Sequence, residues 1–222
     1  MIREILKLLS KDNLQVQALS ECYEMLDICH TMVHASVESL RLTNSAQVAV
    51  NIYEMDQKLN SFERDVRRKV MTHLSLGHTA DIASGLTLVS IVIDLERIGD
   101  YTKNIYDLAV THPKRLHAGD LEPRLAAIEK TALGNFDRTV RAFKEGNLEE
   151  AKRLMEEYKA DISKQCREME QELVSGKSTL PMSEGVTVAL YTRFLKRISA
   201  HSRNLISSLV NPFHRIGYQA TD

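Results

Sequence analysis

The chain is short of the residues that interrupt helices and of those that staple or anchor a protein. Of its 222 residues only four are proline, Pro113, Pro123, Pro181 and Pro212, and each sits beside a break or near a candidate helix start. Long uninterrupted helices follow, because proline inside a helix removes a hydrogen bond and clashes with the preceding turn. The three cysteines, Cys22, Cys29 and Cys166, cannot all pair, and their spacing matches neither a zinc ribbon nor a redox CxxC. They read as reduced thiols in a cytosolic protein, with Cys22 and Cys29 two turns apart on one face as small buried apolar residues.

Nor is there charge of one sign. Twenty-nine basic and 30 acidic residues leave a formal charge of −1, so nothing global attracts the chain to nucleic acid or an anionic bilayer. The longest weakly polar run, 83–93, stops at Asp94, well short of the ~20 residues that span a membrane. The 1–9 segment shows no cleavage pattern of a secretory signal. A chain that is not itself transmembrane, acting from the cytosolic side if it meets a membrane at all, is the expectation.

What is present is apolar residues at three- and four-residue intervals, as in Leu19, Tyr23, Leu26, Met32, Val33, Val37 and Leu40, with no convincing period-two strand. The fold is expected to be all-α. A short amphipathic segment at 2–9 precedes six longer ones at about 14–42, 45–76, 79–110, 120–144, 148–174 and 183–209, separated by cap and turn residues. Asn147 with Glu150 three residues later has the form of a capping box, which would start the fifth long helix.

A repeat organises these segments. LERIGDYTKN at 95–104 returns as LKRISAHSRN at 195–204, and the constant offset of 100 extends back through Gly85/Gly185 and Thr87/Thr187. In the first two helices of each copy the offset is about 103, pairing Val37 with Val140, Asn44 with Asn147 and Leu59 with Ile162. Duplication of one three-helix unit explains the register. Helices of roughly 28 residues would be ~40 Å long, so two tandem antiparallel three-helix bundles are predicted, an N-terminal repeat over 1–112 with its short leading helix and a degenerate C-terminal repeat over 120–222.

The two copies differ in charge. Glu96, Asp100, Asn104 and Asp107 form one oxygen-bearing line along the third helix, and Asp56, Asn60 and Glu63 form a second on the helix before it. Carboxylates one turn apart repel by a few tenths of a kcal/mol per pair, so something should compensate them. Facing each other, the two lines would offer hard oxygen donors to Mg²⁺, Mn²⁺ or iron, with Glu96, Asp100, Asp56, Glu63 and Asn104 as the metal-ligand set. The competing reading is a solvated acidic face with Arg64, Arg67, Arg97 and Lys103 as counter-charges. Two features favour the metal: the basic residues are set at angles off the stripe, and Gly99 stands inside the motif despite costing a helix ~1 kcal/mol relative to alanine. A glycine there permits close helix approach or room for a ligand. In the second copy Asp56, Asn60, Glu63, Glu96, Asp100 and Asp107 become Lys159, Ser163, Cys166, Lys196, Ala200 and Ser207. Lysine supplies the positive charge itself, so metal binding is expected in the first half alone.

LERIGDYTKN with Asp94 before it, the segment Asp56-Gln57-Lys58-Leu59-Asn60, and VRAFKEGNLEEAKRLM at 140–155 closely resemble the PhoU family of phosphate-uptake regulators over nearly the whole chain. The family is a tandem of two three-helix bundles with an E/DxxxD motif on each third helix associated with bound metal. The resemblance therefore implies a metal at Glu96 and Asp100, with Asp56 as a further ligand; Fe, Mn, Mg and Zn are not distinguished. Erosion of the second motif speaks against a second cluster. By the same resemblance the chain is a non-catalytic cytosolic adaptor, at the inner face of the membrane, whose partners are a phosphate transporter and/or a sensor histidine kinase. An accessory role beside a sodium/phosphate symporter is the alternative within that reading. A metalloprotein with its own oxygen-ligand chemistry is the alternative outside it, disfavoured by the lack of histidine or a nucleophile near the stripe.

Other signals carry less. His30 and His34 lie one turn apart with Asp27 three residues before His30, but no ExxH of the ferritin-like kind exists, and they are read as structural or surface residues. His201, at the Tyr101 position of the second copy, is read as a packing residue. The basic run Arg64, Arg67, Arg68 and Lys69 lacks a recognition helix or aromatic platform, so no nucleic-acid partner is expected. No Gly-rich phosphate loop, nucleophile elbow or HExxH appears. A homodimer is expected from the flat lateral faces of long bundles, with Phe194, at the Asp94 position, as a contributor.

Overall fold

A computed structural model describes residues 13–112, 114–159 (at 159 the backbone only) and 162–218. The amphipathic 2–9 segment lies outside these residues. The described residues form seven α-helices and no strand: α1 (Leu14–Leu42), α2 (Ile52–Ser75), α3 (Ile82–Thr111), α4 (Glu122–Glu145), α5 (Leu148–Lys159), α6 (Ile162–Val174) and α7 (Met182–Val210). The all-α tandem expectation holds. The fifth predicted segment corresponds to α5 and α6, on either side of residues 160 and 161.

Local chemistry sets several helix ends. Asn13 opens α1 by accepting the Gln15 amide at 2.9 Å, and Gly146 closes α4 in the left-handed conformation at φ 62°. Asn147 accepts the Glu150 amide at 3.1 Å, as the capping box requires. The reciprocal half is otherwise engaged, since the Glu150 carboxylate accepts from Arg138 Nε at 2.6 Å. The predicted start of the second helix at 45 is corrected to Ile52. There Asn51 caps α2 by accepting the Glu54 amide at 3.2 Å, while Ala46, Val48 and Val50 pack as irregular chain against the core. Tyr106 donates to the Ala46 carbonyl at 2.9 Å, fixing that stretch. Apolar spacing alone does not separate a packed loop from a first helical turn.

In the first repeat α1, α2 and α3 pack on one another; in the second, α7 carries α4, α5 and α6. The halves meet chiefly along α3 and α7, with a lesser contact of α1 on α4. One continuous body of buried apolar side chains runs through both, from Ala18 and Cys22 to Leu195 and Leu205. All three cysteines are buried, and none is in a disulfide. Burial pushes the thiols of Cys22 and Cys29 far up, so they behave as apolar filling.

The contact between halves keeps the register of the duplication. Position 94 corresponds to 194 and 101 to 201, and the structure pairs them crosswise. Asp94 is buried and bonded by His201 Nδ1 at 2.7 Å and Asn204 Nδ2 at 2.8 Å, whereas Tyr101 packs on Phe194 with ring centroids 6.1 Å apart and on His201 at 5.7 Å. An approximate two-fold axis therefore passes near 101 and 201. Phe194 is a half-buried side chain in the join between repeats, because the aspartate it replaces faces the opposite copy.

At one end of the join, the buried Arg41 of α1 donates to Glu122 and Glu129 of α4 and to the Leu116 carbonyl in the connection between repeats. Tyr191 of α7 donates to the same Glu129 at 2.7 Å. One guanidinium thus ties both halves and their linker. Arg41→Ala would remove the cation from two partly shielded carboxylates, leaving Glu129 with Tyr191 and Glu122 with the Ala118 amide, so a loss of about 1–3 kcal/mol is expected. Urea unfolding would show it, and a midpoint within error of the parent would mean that the network contributes nothing net.

Candidate functional site

The acidic lines of α2 and α3 do face each other. Asp56, Glu63 and Glu96 are largely shielded, with side chains 11, 14 and 12% exposed, while Asp100 is more open at 28%. Close approach of the helices follows from Gly99, where an added methyl would overlap Leu59 Cδ1 of α2. Of the two roles open to that glycine, close approach is the one the structure uses.

The basic residues are not off the stripe, and that expectation is corrected. Lys103 Nζ lies 2.8 Å from Asp56 Oδ2 and 3.3 Å from Asp100 Oδ1, bridging the two helices. Arg97 donates to Asp100 Oδ2 at 2.9 Å, and Arg67 pairs with Glu63 at 2.8 Å. The angles of the Cα positions misled, because long aliphatic stems carry the charged heads around the helix to i+3 and i+4 neighbours. Three of the four counter-charges are engaged, so the solvated-face reading is right about the pairing and wrong about the exposure.

Glu96 is the group left short. Its Oε2 is buried without a hydrogen bond, and Arg97 Nε approaches it at 3.4 Å only as a charge contact. Burial first, then the Asp100 charge, push the Glu96 carboxyl up to about 7; Arg97 acts the other way, and Glu63 adds to the rise. Glu63, Glu96 and Asp100 therefore feel one another, and Lys103 joins Asp100 to Asp56. Asn104 is half-buried one turn further on, and among the described residues no hydrogen bond joins it to the other four. Asp107 is drawn away as the acceptor of the Tyr53 hydroxyl at 2.7 Å.

The residue types are those a hard cation takes, a shielded carboxylate oxygen without a hydrogen bond, two further carboxylates within its field and a fourth held by a lysine, but their oxygens are not drawn together onto one point. The second repeat has a different arrangement. Lys196, at the Glu96 position, lies 3.6 Å from Glu170, which occupies the Arg67 position, and Cys166 is buried where Glu63 stood. Charge there is reversed and self-balanced.

Two clusters place three ligand atoms within 4.8 Å of one another among the described residues, and neither is this one. His73, His78 and Asp81 close the turn between α2 and α3, with the His73 and His78 rings stacked at 4.2 Å and His73 Nε2 2.8 Å from Asp81. The other joins His30 and His34 to Asp137 of the second repeat. Sequence reasoning missed Asp137, although an offset of 103 makes it the equivalent of His34.

The comparisons decide the family. A model of the PhoU domain matches twice, at residues 22–109 and 125–209. This chain belongs to the PhoU family. PhoU from Pseudomonas aeruginosa superposes with a TM-score of 0.78 at 19% identity, covering 90% of this chain and 97% of that one. The phosphate transport system regulatory protein PhoU from Streptococcus pneumoniae gives 0.68 at 17% identity, covering 89 and 95%. A search of the curated proteins finds no match.

Two measurements test the site. With a raised carboxyl, folding holds a proton that the unfolded chain has released above its ordinary 4.5, so this contribution to stability is complete below that pH and is lost as pH rises through about 7. In EDTA, Glu96→Gln should therefore flatten the fall in unfolding free energy between those values; an unchanged slope would place Glu96 in water. Gly99→Ala should lower stability by ~1 kcal/mol, overpacking on the buried Leu59 outweighing the better helix propensity of alanine, and a gain would show that the Leu59 methyl turns aside freely.

Proposed function

We propose that this PhoU-family chain is a non-catalytic cytosolic regulator of phosphate transport, working by protein contact with a phosphate transporter or sensor histidine kinase at the inner face of the membrane. Its two repeats divide at 1–112 and 120–222, and only the first holds a divalent or ferric ion. Glu96, Asp100, Asp56 and Glu63 are the ligands, with Asn104 able to join only by a shift of α3. When bound, the cation neutralises clustered carboxylates and clamps α2 to α3.

The single observation that carries this reading is the double match of the PhoU domain across both repeats. No helix among the described residues is long and apolar enough to cross a membrane, which agrees with recruitment to a partner that does. The name of the Streptococcus pneumoniae relative supports phosphate transport as the process. The unpartnered Glu96 oxygen and the charge reversal in the second half support the one-sided metal site.

Two outcomes are expected. Affinity capture from membranes should recover a transporter or kinase component, with recovery changing between phosphate-replete and phosphate-starved cells; no such component under either condition would sink the adaptor role. Purified protein should carry metal that is lost in Glu96→Ala/Asp100→Ala. Metal retained in that double variant would move the site elsewhere.

A further inference from the structure

We propose that His30, His34 and Asp137 form a zinc site that bridges the two repeats, separate from the all-oxygen cluster on α2 and α3. His30 and His34 are i and i+4 on α1, the spacing that puts two imidazoles on one face of a helix. Their Nε2 atoms lie 3.0 and 2.7 Å from the same Asp137 Oδ1 on α4. The rings meet edge to face with centroids 4.7 Å apart. Three donor atoms, two nitrogens and one oxygen, converge on one point from both halves of the molecule.

The geometry is close to what zinc needs. Ligand bonds of about 2.0–2.1 Å in a tetrahedron set the donor atoms roughly 3.3 Å apart, so the two nitrogen–oxygen edges, at 3.0 and 2.7 Å, need open by only a few tenths of an ångström, and the three donor atoms already lie within 4.8 Å of one another. The side chains are 42, 42 and 37% exposed, which leaves an entry path and room for water as the fourth ligand. Asp27, the other carboxylate near His30, is held through both oxygens by Lys144 at 2.7 Å and does not compete. Two imidazoles with one carboxylate suit zinc and neighbouring transition ions, and disfavour magnesium and calcium. The α2/α3 cluster has the opposite preference.

The register explains why the site can exist once. His34 and Asp137 are equivalent positions of the two copies and oppose each other near the two-fold axis, while the equivalent of His30 is Leu133. Divergence of the copies on either side of the join has put nitrogen donors on one and oxygen on the other. A zinc ion there would cross-link α1 to α4, where the halves touch less than along α3 and α7.

The test uses the full chain stripped with chelator and titrated with Zn²⁺ against a chromophoric competitor. One tightly held equivalent is expected in the parent and in Glu96→Gln/Asp100→Asn, with at least ~100-fold weaker binding in His30→Gln/His34→Gln and in Asp137→Asn. Co²⁺ should give the visible bands of a four-coordinate ion in the parent and lose them in His34→Gln, with circular dichroism confirming that each variant is folded. Failure of the parent to bind Zn²⁺, binding unchanged in the histidine and aspartate variants, or loss confined to Glu96→Gln/Asp100→Asn would each overturn the proposal. Because the readout is metal binding alone, failure of the adaptor role would leave it standing.

Discussion

Neither three-helix unit can cover its own third helix, and the architecture follows from that shortfall. On α3 the buried positions Leu88, Ile91, Val92, Asp94, Leu95, Ile98, Gly99, Thr102 and Ile105 occupy an arc wider than one stripe, so packing on α1 and α2 leaves a second face in need of cover. The equivalent helix α7 has the same excess. Placing them against each other buries both, and apolar area removed from water is the largest favourable term available to a fold of this kind. The consequence is one large core running through both halves, beside a smaller cluster under α5 around Ala151, Leu154 and Ile206.

Polar groups set the register of that contact. An apolar seam between long helices tolerates sliding, whereas a buried carboxylate requires its partners at one place. Asp94 has His201 and Asn204, and Arg41 has Glu122, Glu129 and the Leu116 carbonyl. These two networks hold the repeats in one relative position, and apart from Asn204, which matches Asn104, their side chains differ between the copies. Loss of internal sequence symmetry has therefore been a source of specificity at the join.

The same divergence separates the two halves chemically. Carboxylates between α2 and α3 are shielded enough to raise the proton affinity of Glu96, yet lysine and arginine still reach in from flanking turns. In the second half Lys196 and Glu170 satisfy each other. The clustered carboxylates are thus a feature of the first copy, and the second replaces them with a self-balanced pair.

By itself the sequence determined the helical class, the duplication, the positions of most breaks and the asymmetry of charge, because each is a matter of periodicity, cap chemistry or residue identity within a few turns. Only the tertiary structure decided where side chains from distant segments meet. It turned residues 45–51 from helix into packed loop, drew Lys103 between Asp56 and Asp100, put Phe194 inside the join and brought Asp137 beside His30 and His34. The physical reason is common to all four: a flexible side chain's partner depends on which helix lies opposite, and that is settled by burial of the third helices, a non-local term that no local pattern encodes.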